Sequence, residues 1–381
     1  MVFTIESKKY SVMEEEFDKA AKIIKNAILA DRQIIIRHHN DCDGISAGIS
    51  LEYSCKKLMG NALIKPHFNL FRFSCRAPYY DFPDFVKDFN TIKRFRSKKL
   101  TRPLLIILDN GSTEEDFFAL KSMSDVGVEV IVVDHHIPQI IGENKSKNCN
   151  FLSAHINPHL FGFGSELSAG MLSFELSNKL YKLDNYILPA IAGLDDKVQG
   201  SELNQYVEKS NKSQVELLKI ASALDFLVYN SKFDLESSVF EELFHNVDLV
   251  NTINSQIESL TEAKLKTINK AINVEDLGGI NFISIDISNY SERFSYPRTG
   301  KITELIMDTF ENAFVCSILE TSITIRQSKA FIPISDLILR LQKELPLANI
   351  KGGGHAVAGT ISFIKAYQGK VIEQIKVTLK K

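Results

Sequence analysis

Four short segments of the chain concentrate aspartate and histidine, the residue types that bind divalent cations and transfer protons. Each follows or closes an apolar stretch, and together they occupy residues 37–44 (RHHNDCDG), 108–112 (LDNGS), 133–136 (VDHH) and 192–196 (AGLDD). Carboxylates mixed with one or two imidazoles suit Mn²⁺ or Mg²⁺ better than zinc, which favours cysteine ligands. The four segments together therefore predict a site for divalent cations.

Taken singly, each segment has a plainer interpretation. Asp-x-Asp-Gly and Asp-Asn-Gly sequences usually form turns, paired histidines often pack at a surface, and paired aspartates often cap a helix. The order of the segments favours chemistry, because all four lie at successive strand or helix ends of one expected domain.

The segments are far apart in sequence but are expected to meet in space. In an open α/β sheet, the carboxyl ends of the strands meet in one crevice where the strand order reverses. Asp41, Asp43, Asp109 and His135 each come just after an expected strand. Crowded carboxylates repel one another unless cations neutralise them. A carboxylate such as Asp109 could bridge two cations about 3.5–4 Å apart, the spacing of two-metal phosphoryl-transfer sites.

The elements that would position these residues follow from the apolar pattern. Strand-like runs at 34–37, 104–108 and 128–133 alternate with helical patterns, one of which starts at a capping residue, Ser112 or Thr113. Continuous Val/Ile/Leu runs separated by helices are typical of a parallel sheet covered on both faces. The first half of the chain is therefore expected to be an α/β domain.

The second half predicts a helical segment and then a smaller α/β domain. The pattern from about 202 to 272 is helical and rich in charged and amide side chains, and strand-like runs resume at 281. A glycine-rich loop is expected at 351–354. We expect an α/β domain, a helical linker and a smaller α/β domain. Their limits are 1–225, 226–275 and 276–381.

Composition narrows the class of protein. The chain has 381 residues and a net charge of −2, so any nucleic-acid binding must come from local basic patches. The five cysteines are scattered without a CxxC pair, which fits a reducing cytoplasm and argues against structural zinc. No apolar run approaches the roughly 18 residues of a membrane helix, and the first ten residues lack the apolar region of a secretion signal. We expect a cytoplasmic protein without a membrane partner.

The motifs resemble those of a known family. The 133–136 segment (VDHH), with HNDCDG upstream at 39–44, resembles the DHH phosphoesterase superfamily. The 351–355 segment (KGGGH) is similar to the Gly-Gly-Gly-His signature of its associated C-terminal domain. The segments 156–159 (INPH) and 168–170 (SAG) are similar to the RecJ-like branch, particularly its archaeal members.

The resemblance implies a set of metal ligands for two Mn²⁺ ions, with Mg²⁺ as the alternative. This set consists of Asp41, Asp43, Asp109, His135 and Asp196. Asp196 matches better than Asp195, because the family's last motif places its aspartate three residues after a glycine, here Gly193.

The resemblance also implies a catalytic first domain, a substrate-binding C-terminal domain and an active site in the cleft between them, with residues for each role. His136 matches a histidine that contacts the phosphate, and Asp134 would orient a histidine. His39 would be a further ligand or a neighbour of the ligands, although some branches place that histidine where Arg37 stands. The implied substrate-binding residues are Gly352, Gly353, Gly354, His355, Arg298 and Arg326.

The implied function is a RecJ-like exonuclease that hydrolyses single-stranded DNA or RNA by a two-metal mechanism. Association with the replisome through the GINS complex is left open. The helical segment and the basic run at 93–99 favour a polymer. One alternative is a small-substrate phosphoesterase for oligoribonucleotides, cyclic dinucleotides or 3′-phosphoadenosine 5′-phosphate. The other is a non-catalytic replisome scaffold.

Overall fold

The chain folds into two compact units, Met1–Thr252 and Ile253–Lys381. A computed structural model describes residues 3–62, 69–75, 77–94, 101–231, 237–288, 296–354 and 356–380. Each unit contains its own sheet with helices packed on it, so the expected α/β class is confirmed. Among the described residues, no helix has both the length and the apolar character needed to cross a bilayer.

The first unit is built on a five-stranded parallel sheet with the strand order β2-β1-β3-β4-β7. Its elements are α1 (Lys8–Val12), α2 (Glu14–Leu29), β1 (Ile34–His38), α3 (Cys42–Asn61), β2 (Leu70–Ser74), α4 (Phe82–Arg94), β3 (Leu104–Leu108), α5 (Phe117–Asp125), β4 (Glu129–Val133), the short strands β5 (Ile140–Gly142) and β6 (Lys145–Ser146), β7 (Ala154–Ile156), α6 (Ala169–Leu180), α7 (Ile187–Asp195), α8 (Ser201–Lys209), α9 (Gln214–Ser231), α10 (Ser237–His245) and α11 (Val247–Ile268), which continues into the second unit.

The order of these strands reverses between β1 and β3. β2 pairs with one edge of β1, and β3 pairs with the other. In register, His38 lies beside Leu108, and Leu108 lies beside Val133. The three strands therefore end level with one another at the place where a crevice is expected.

Alternating side chains of these strands cover the two faces of the sheet. Ile35, Leu105 and Val130 pack with Leu120 and Met123 of α5 in one buried cluster. On the opposite face, α3 contacts β1, β2 and β3, and α6 contacts β3 and β4. Burial on both faces explains why these strands are uninterrupted apolar runs.

The second unit is built on a six-stranded mixed sheet with the strand order β12-β13-β11-β10-β9-β8. Its elements are β8 (Ile272–Asp276), β9 (Asn281–Asp286), α12 (Thr299–Met307), β10 (Ala313–Ile318), β11 (Ser322–Gln327), α13 (Ile334–Glu344), β12 (Lys351–Gly354), β13 (Ala358–Ser362) and α14 (Gln368–Leu379). Helices α13 and α14 pack on one face, and α12 with the end of α11 packs on the other.

Four expectations differ from the observed structure. The glycine-rich segment expected as a loop is strand β12, paired antiparallel with β13. Helix α5 begins at Phe117 rather than near Ser112, because the Ser112 hydroxyl contacts His155 and Asn157 instead of capping a helix. The two units divide inside α11, between the expected limits at 225 and 275. Residues 272–276 form a strand of the second sheet, although the helical linker was expected to run to 275.

Candidate metal centre

The connection between β1 and α3 brings His39 and Asp41 together. Asp41 caps α3, since its Oδ1 accepts a hydrogen bond from the Gly44 amide at 2.9 Å. Gly44 lies so close to the backbone of His39 that a Cβ atom would stand 2.5 Å from the His39 carbonyl oxygen. In this tight connection, the His39 Nδ1 atom lies 2.6 Å from Asp41 Oδ2.

Asp43 is held by the start of α6. Its Oδ2 accepts a hydrogen bond from the Ala169 amide at 2.9 Å, and its Oδ1 accepts one from the Gly170 amide at 2.8 Å. These amides belong to the first turn of a helix, where N–H groups have no partner within the helix and favour negative charge. Each oxygen keeps a further lone pair for a cation. The Ser-Ala-Gly motif at 168–170 therefore anchors a candidate ligand.

Asp109 lies between the two neighbouring groups of side chains. It directly follows β3 and has the left-handed backbone angle φ of 58°, which aspartate tolerates better than most residues. Its Oδ2 lies 3.3 Å from His39 Nδ1, and its Oδ1 lies 3.4 Å from His135 Nε2. The Asp109 carboxylate thus directs one oxygen toward His39 and the other toward His135.

The Asp-His-His segment at the end of β4 is organised by Asp134. Its Oδ1 accepts hydrogen bonds from the amides of His135 and His136, at 2.8 and 3.2 Å, and lies 2.8 Å from His136 Nδ1. His135 Nε2 lies 3.1 Å from Asp196 Oδ2, at the end of α7. Asn157 donates to the His136 carbonyl at 2.9 Å and so fixes the segment from the side of β7.

These side chains form groups whose ligand atoms lie within 4.8 Å of one another. We name two of them: subsite A is His39, Asp41 and Asp109, and subsite B is Asp43, His135 and Asp196. A third group joins Asp109 with His135 and His136. Their nitrogen and oxygen donors match the preferences of Mn²⁺ and Mg²⁺.

Two buried carboxylate oxygens, one in each named subsite, indicate that these side chains fit a cation. Among the residues that the structure describes, neither Asp109 Oδ2 nor Asp196 Oδ2 accepts a hydrogen bond of good geometry. A buried carboxylate oxygen without such a bond is unfavourable unless another positive group satisfies it. Each atom lies within 3.3 Å of an imidazole nitrogen of its subsite, and a cation bound among these ligands would supply the missing interaction.

The raised pKa values of two buried carboxylates also favour a bound cation. Burial, followed by the charge of Asp109, raises the pKa of Asp43 to about 7. Burial, followed by the charge of Asp43, raises the pKa of Asp196 well above its usual value. Burial alone would lower the pKa of His135, but its hydrogen bond to Asp109 and the charge of Asp43 raise it to about 9. A cation would relieve the repulsion that raises the two carboxylate pKa values.

Arg37, the alternative position for the family's histidine, lies on the other face of the sheet. Its guanidinium pairs with Asp84 and Asp88 of α4 and donates a 2.7 Å hydrogen bond to the Ser74 carbonyl. Successive residues of a strand point to opposite faces of the sheet, so the Arg37 side chain points away from the candidate metal centre. His39, beyond the end of the strand, is the residue that contacts the cluster.

The expected substrate-binding residues lie in the second unit. Arg298 immediately precedes α12, and Arg326 of β11 lies at the first turn of that helix, with its Nη2 atom 2.8 Å from where a Cβ on Gly300 would stand. Gly352, Gly353 and Gly354 form edge strand β12. His355 and the basic residues 95–99 lie outside the described residues.

The helix amides on Asp43 and the side-chain amide of Asn157 contact the candidate metal centre in ways that the sequence did not reveal. Only the family resemblance indicates the motifs that contain them. Contacts between residues 43 and 170, or 136 and 157, depend on the packing of separate elements. Their signal in the sequence was a small-residue helix start and an Asn-Pro pair.

Known proteins are similar to this chain in sequence and in fold. Residues 33–194 match the model of the DHH family, N-terminal domain. The chain is 29% identical to an uncharacterized protein of Methanocaldococcus jannaschii, over 97% of this chain, and it spans 54% of that relative's length. It is also 30% identical to a solved structure described as the DHH domain of a member of the s1p family of ribosomal proteins. That similarity covers 100% of this chain and 94% of the other, with a TM-score of 0.94.

The chain belongs to the DHH family. Its fold is RecJ-like: RecJ from Thermus thermophilus, solved in complex with Mn²⁺, superposes with a TM-score of 0.67 at 16% identity, over 96% of this chain and 54% of that one. The family places the chain in a superfamily of phosphoesterases.

Proposed function

We propose that this protein is a metal-dependent phosphodiesterase that removes nucleotides from the ends of single-stranded DNA or RNA. The observation that carries the proposal is the position of Asp109, whose two oxygens face His39 in subsite A and His135 of subsite B. A carboxylate shared by two cation subsites is typical of two-metal phosphoryl-transfer centres.

In this proposal, Asp41, Asp43, Asp109, His135 and Asp196 hold two Mn²⁺ or Mg²⁺ ions, and His39 completes subsite A. When bound, such ions supply Lewis acidity at the phosphoryl oxygens and lower the pKa of a bound water. The chain's own residues keep the ligands in place through the Gly170 amide on Asp43 and the Asn157 amide on the carbonyl of His136.

His136 would contact the phosphoryl group. Burial lowers its pKa, but the charge of Asp134 and the hydrogen bond to it outweigh that effect and raise the pKa to about 9. The ring is held through Nδ1 and its side chain is 22% exposed, so a substrate can reach it. A protonated imidazole there would balance charge on the phosphoryl oxygens or donate to the leaving group.

The second unit would hold the strand of nucleic acid. Arg298 and Arg326 at the start of α12 would pair with further phosphates. Gly352, Gly353 and Gly354 would let a nucleotide backbone approach closely, and His355 would contact the scissile or an adjacent phosphate. The GINS association and the cytoplasmic location stay predictions. The s1p description of one relative is a reason to test RNA beside DNA.

The test is digestion of end-labelled single-stranded DNA, single-stranded RNA and a dinucleotide in the presence of Mn²⁺. Each polymer carries its label at the 5′ end in one reaction and at the 3′ end in another. We expect stepwise shortening of a polymer, which would establish sugar preference and polarity together. Cleavage of the dinucleotide alone would replace the proposal with the small-substrate phosphoesterase, and no cleavage would replace it with the scaffold.

A matched pair of histidine variants assigns any activity to this centre. We expect His136→Asn to lose most of the activity and His245→Asn, at an exposed end of α10, to keep it. Equal activity of the two variants would contradict the proposed role of His136.

A further inference from the structure

A continuous polar path runs from the surface of α3 to the backbone of His39. Lys56 Nζ lies 2.8 Å from Glu52 Oε1, and Arg72 Nε donates to Glu52 Oε2 at 2.7 Å. Arg72 Nη1 lies 2.9 Å from His38 Nε2, and His38 Nδ1 lies 2.7 Å from the carbonyl oxygen of His39. Every step of the path is within hydrogen-bond distance.

The guanidinium determines the direction of these hydrogen bonds. Arginine has donors and no acceptor, so Nε2 of His38 must accept from Arg72. In the neutral ring the proton then resides on Nδ1, which donates to the carbonyl of His39. Arg72 thereby sets the tautomer that allows His38 to hold the peptide of His39.

Two glycines of α3 give these groups their room. A Cβ on Gly48 would lie 2.6 Å from Cδ2 of His38, and a Cβ on Gly44 would lie 2.5 Å from the carbonyl oxygen of His39. The amide of His39 donates to the Leu108 carbonyl at 3.2 Å. The backbone of His39 is thus held at its amide by β3 and at its carbonyl by the ring of His38, with Gly44 of α3 packed against it.

We propose that Arg72 and His38 are positioning residues that orient His39 toward the cation of subsite A. The inference rests on the proposed function, because it assigns a role in binding that cation. The proposed role concerns subsite A alone. The described contacts of Arg72 and His38 lead to His39 and not to the residues of subsite B, which are Asp43, His135 and Asp196. Removal of a group that orients a metal ligand typically weakens metal affinity by about 10–100-fold.

The test is a titration of the full chain with Mn²⁺, in which electron paramagnetic resonance measures the free ion. We expect the wild-type protein to bind two ions per chain and Arg72→Met to weaken one of the two sites by about 10–100-fold. A general loss of folding would instead weaken both sites, and circular dichroism and the melting temperature are measured in parallel to detect it.

Two substitutions of His38 and a control substitution of another arginine extend the test. His38→Asn retains a donor near the position of Nδ1 and should preserve more affinity at the weakened site than His38→Leu. Arg32→Met is the control, because Arg32 pairs with Glu129 at 2.6 Å next to the opposite ends of the strands. It should leave both sites unchanged.

The outcomes separate the two claims. If the wild type binds two ions and Arg72→Met binds both with unchanged affinity, or weakens both equally, the positioning role is overturned while the proposed metal centre stands. If the wild type binds no Mn²⁺, the proposed function itself is contradicted, and the positioning role with it.

Discussion

Backbone amides hold the side chain of Asp43, a candidate cation ligand. Both of its carboxylate oxygens accept hydrogen bonds from amides in the first turn of α6. The start of α6 can lie this close to Asp43 because residue 170 is glycine. A Cβ there would lie 2.6 Å from Cβ of Ala192 and 2.9 Å from Oδ1 of Asp43. The glycine thus keeps α6, α7 and the candidate ligand in contact.

We therefore expect Gly170→Ala to weaken Mn²⁺ binding and to lower the free energy of unfolding by about 1–3 kcal/mol, because it overpacks a buried contact. Urea denaturation and Mn²⁺ titration measure the two effects. The control is Gly60→Ala in α3, where a Cβ has no neighbour within 4 Å. That change should stabilise the helix by about 0.5–1 kcal/mol. Unchanged Mn²⁺ affinity in Gly170→Ala would refute the anchoring role of α6.

His155 provides a pH-dependent test of the packing around Ser112. The ring is buried, and its two nitrogens lie 3.0 Å from Ser112 Oγ and 3.1 Å from Ser146 Oγ. Burial lowers its pKa to about 4. The unfolded chain, with a pKa of about 6.5, therefore binds a proton at higher pH than the folded chain does.

Stability from this group is present above about pH 6.5 and is lost as the pH falls toward 4, by up to about 3 kcal/mol. We expect the free energy of unfolding of His155→Gln to fall less steeply over that range than that of the wild type. His245→Gln at an exposed position should follow the wild type. Parallel slopes for wild type and His155→Gln in urea denaturation at several pH values would contradict the burial of a neutral ring.

At the scale of elements, the buried strands could be predicted well, and the glycine-rich strand could not. The expected strand at 104–108 agrees with β3, because a strand buried on both faces must be an apolar run. Glycine is depleted in strands, so the run at 351–354 indicated a loop. Its pairing with β13 is visible only in three dimensions, where Gly352 and Gly354 approach the partner strand too closely for a side chain.

Substitutions at the three glycines of β12 should therefore differ in their effect on the free energy of unfolding. A Cβ on Gly354, which has a φ of 143°, would lie 2.2 Å from the Ala358 carbonyl oxygen, whereas a Cβ on Gly353 has no neighbour within 4 Å. We expect Gly354→Ala to reduce the free energy of unfolding by about 1–3 kcal/mol and Gly353→Ala to change it by less than about 1 kcal/mol. Thermal denaturation of the two variants compares them directly. Equal destabilisation would contradict the strand pairing.

If Gly353 also lies where nucleic acid passes, Gly353→Ala should hinder cleavage of a polymer more than cleavage of a dinucleotide. The reason is that only the polymer would extend beyond the reacting phosphate. The ratio of the two rates in wild type and variant measures this effect. Equal losses on both substrates would remove β12 from substrate recognition.

At the scale of the whole molecule, the clustering of the candidate ligands could be predicted, because the strand order brings the ends of their strands together. The alternation of strands and helices implied a parallel sheet, and its switch point between β1 and β3 places Asp41 and Asp109 at one edge. The division between the two units could not be predicted in the same way. Helix α11 is continuous across it, and a helical pattern does not reveal which core each turn joins.

A cation shared by several elements should stabilise the whole first unit. Subsite B joins residues from α3, from the end of β4 and from the end of α7, so an ion bound there connects three parts of the fold. A ligand at about 100 times its Kd stabilises the folded state by about 2.7 kcal/mol. We expect Mn²⁺ to raise the melting temperature and a chelator to reverse the rise. A melting temperature that does not respond to Mn²⁺ would contradict this coupling.

The most direct measurement of the central claim is the Mn²⁺-dependent hydrolysis of a single strand by Asp109→Asn compared with Asp125→Asn. Both variants exchange a carboxylate for an amide of similar shape, but Asp109 lies between the two subsites, whereas Asp125 is an exposed residue paired with Lys121. We expect Asp109→Asn to lose more than about 100-fold in rate, which exceeds the loss typical of groups that only orient a metal ligand. Asp125→Asn should retain wild-type activity. Equal rates for the two variants would contradict a two-cation centre built around Asp109.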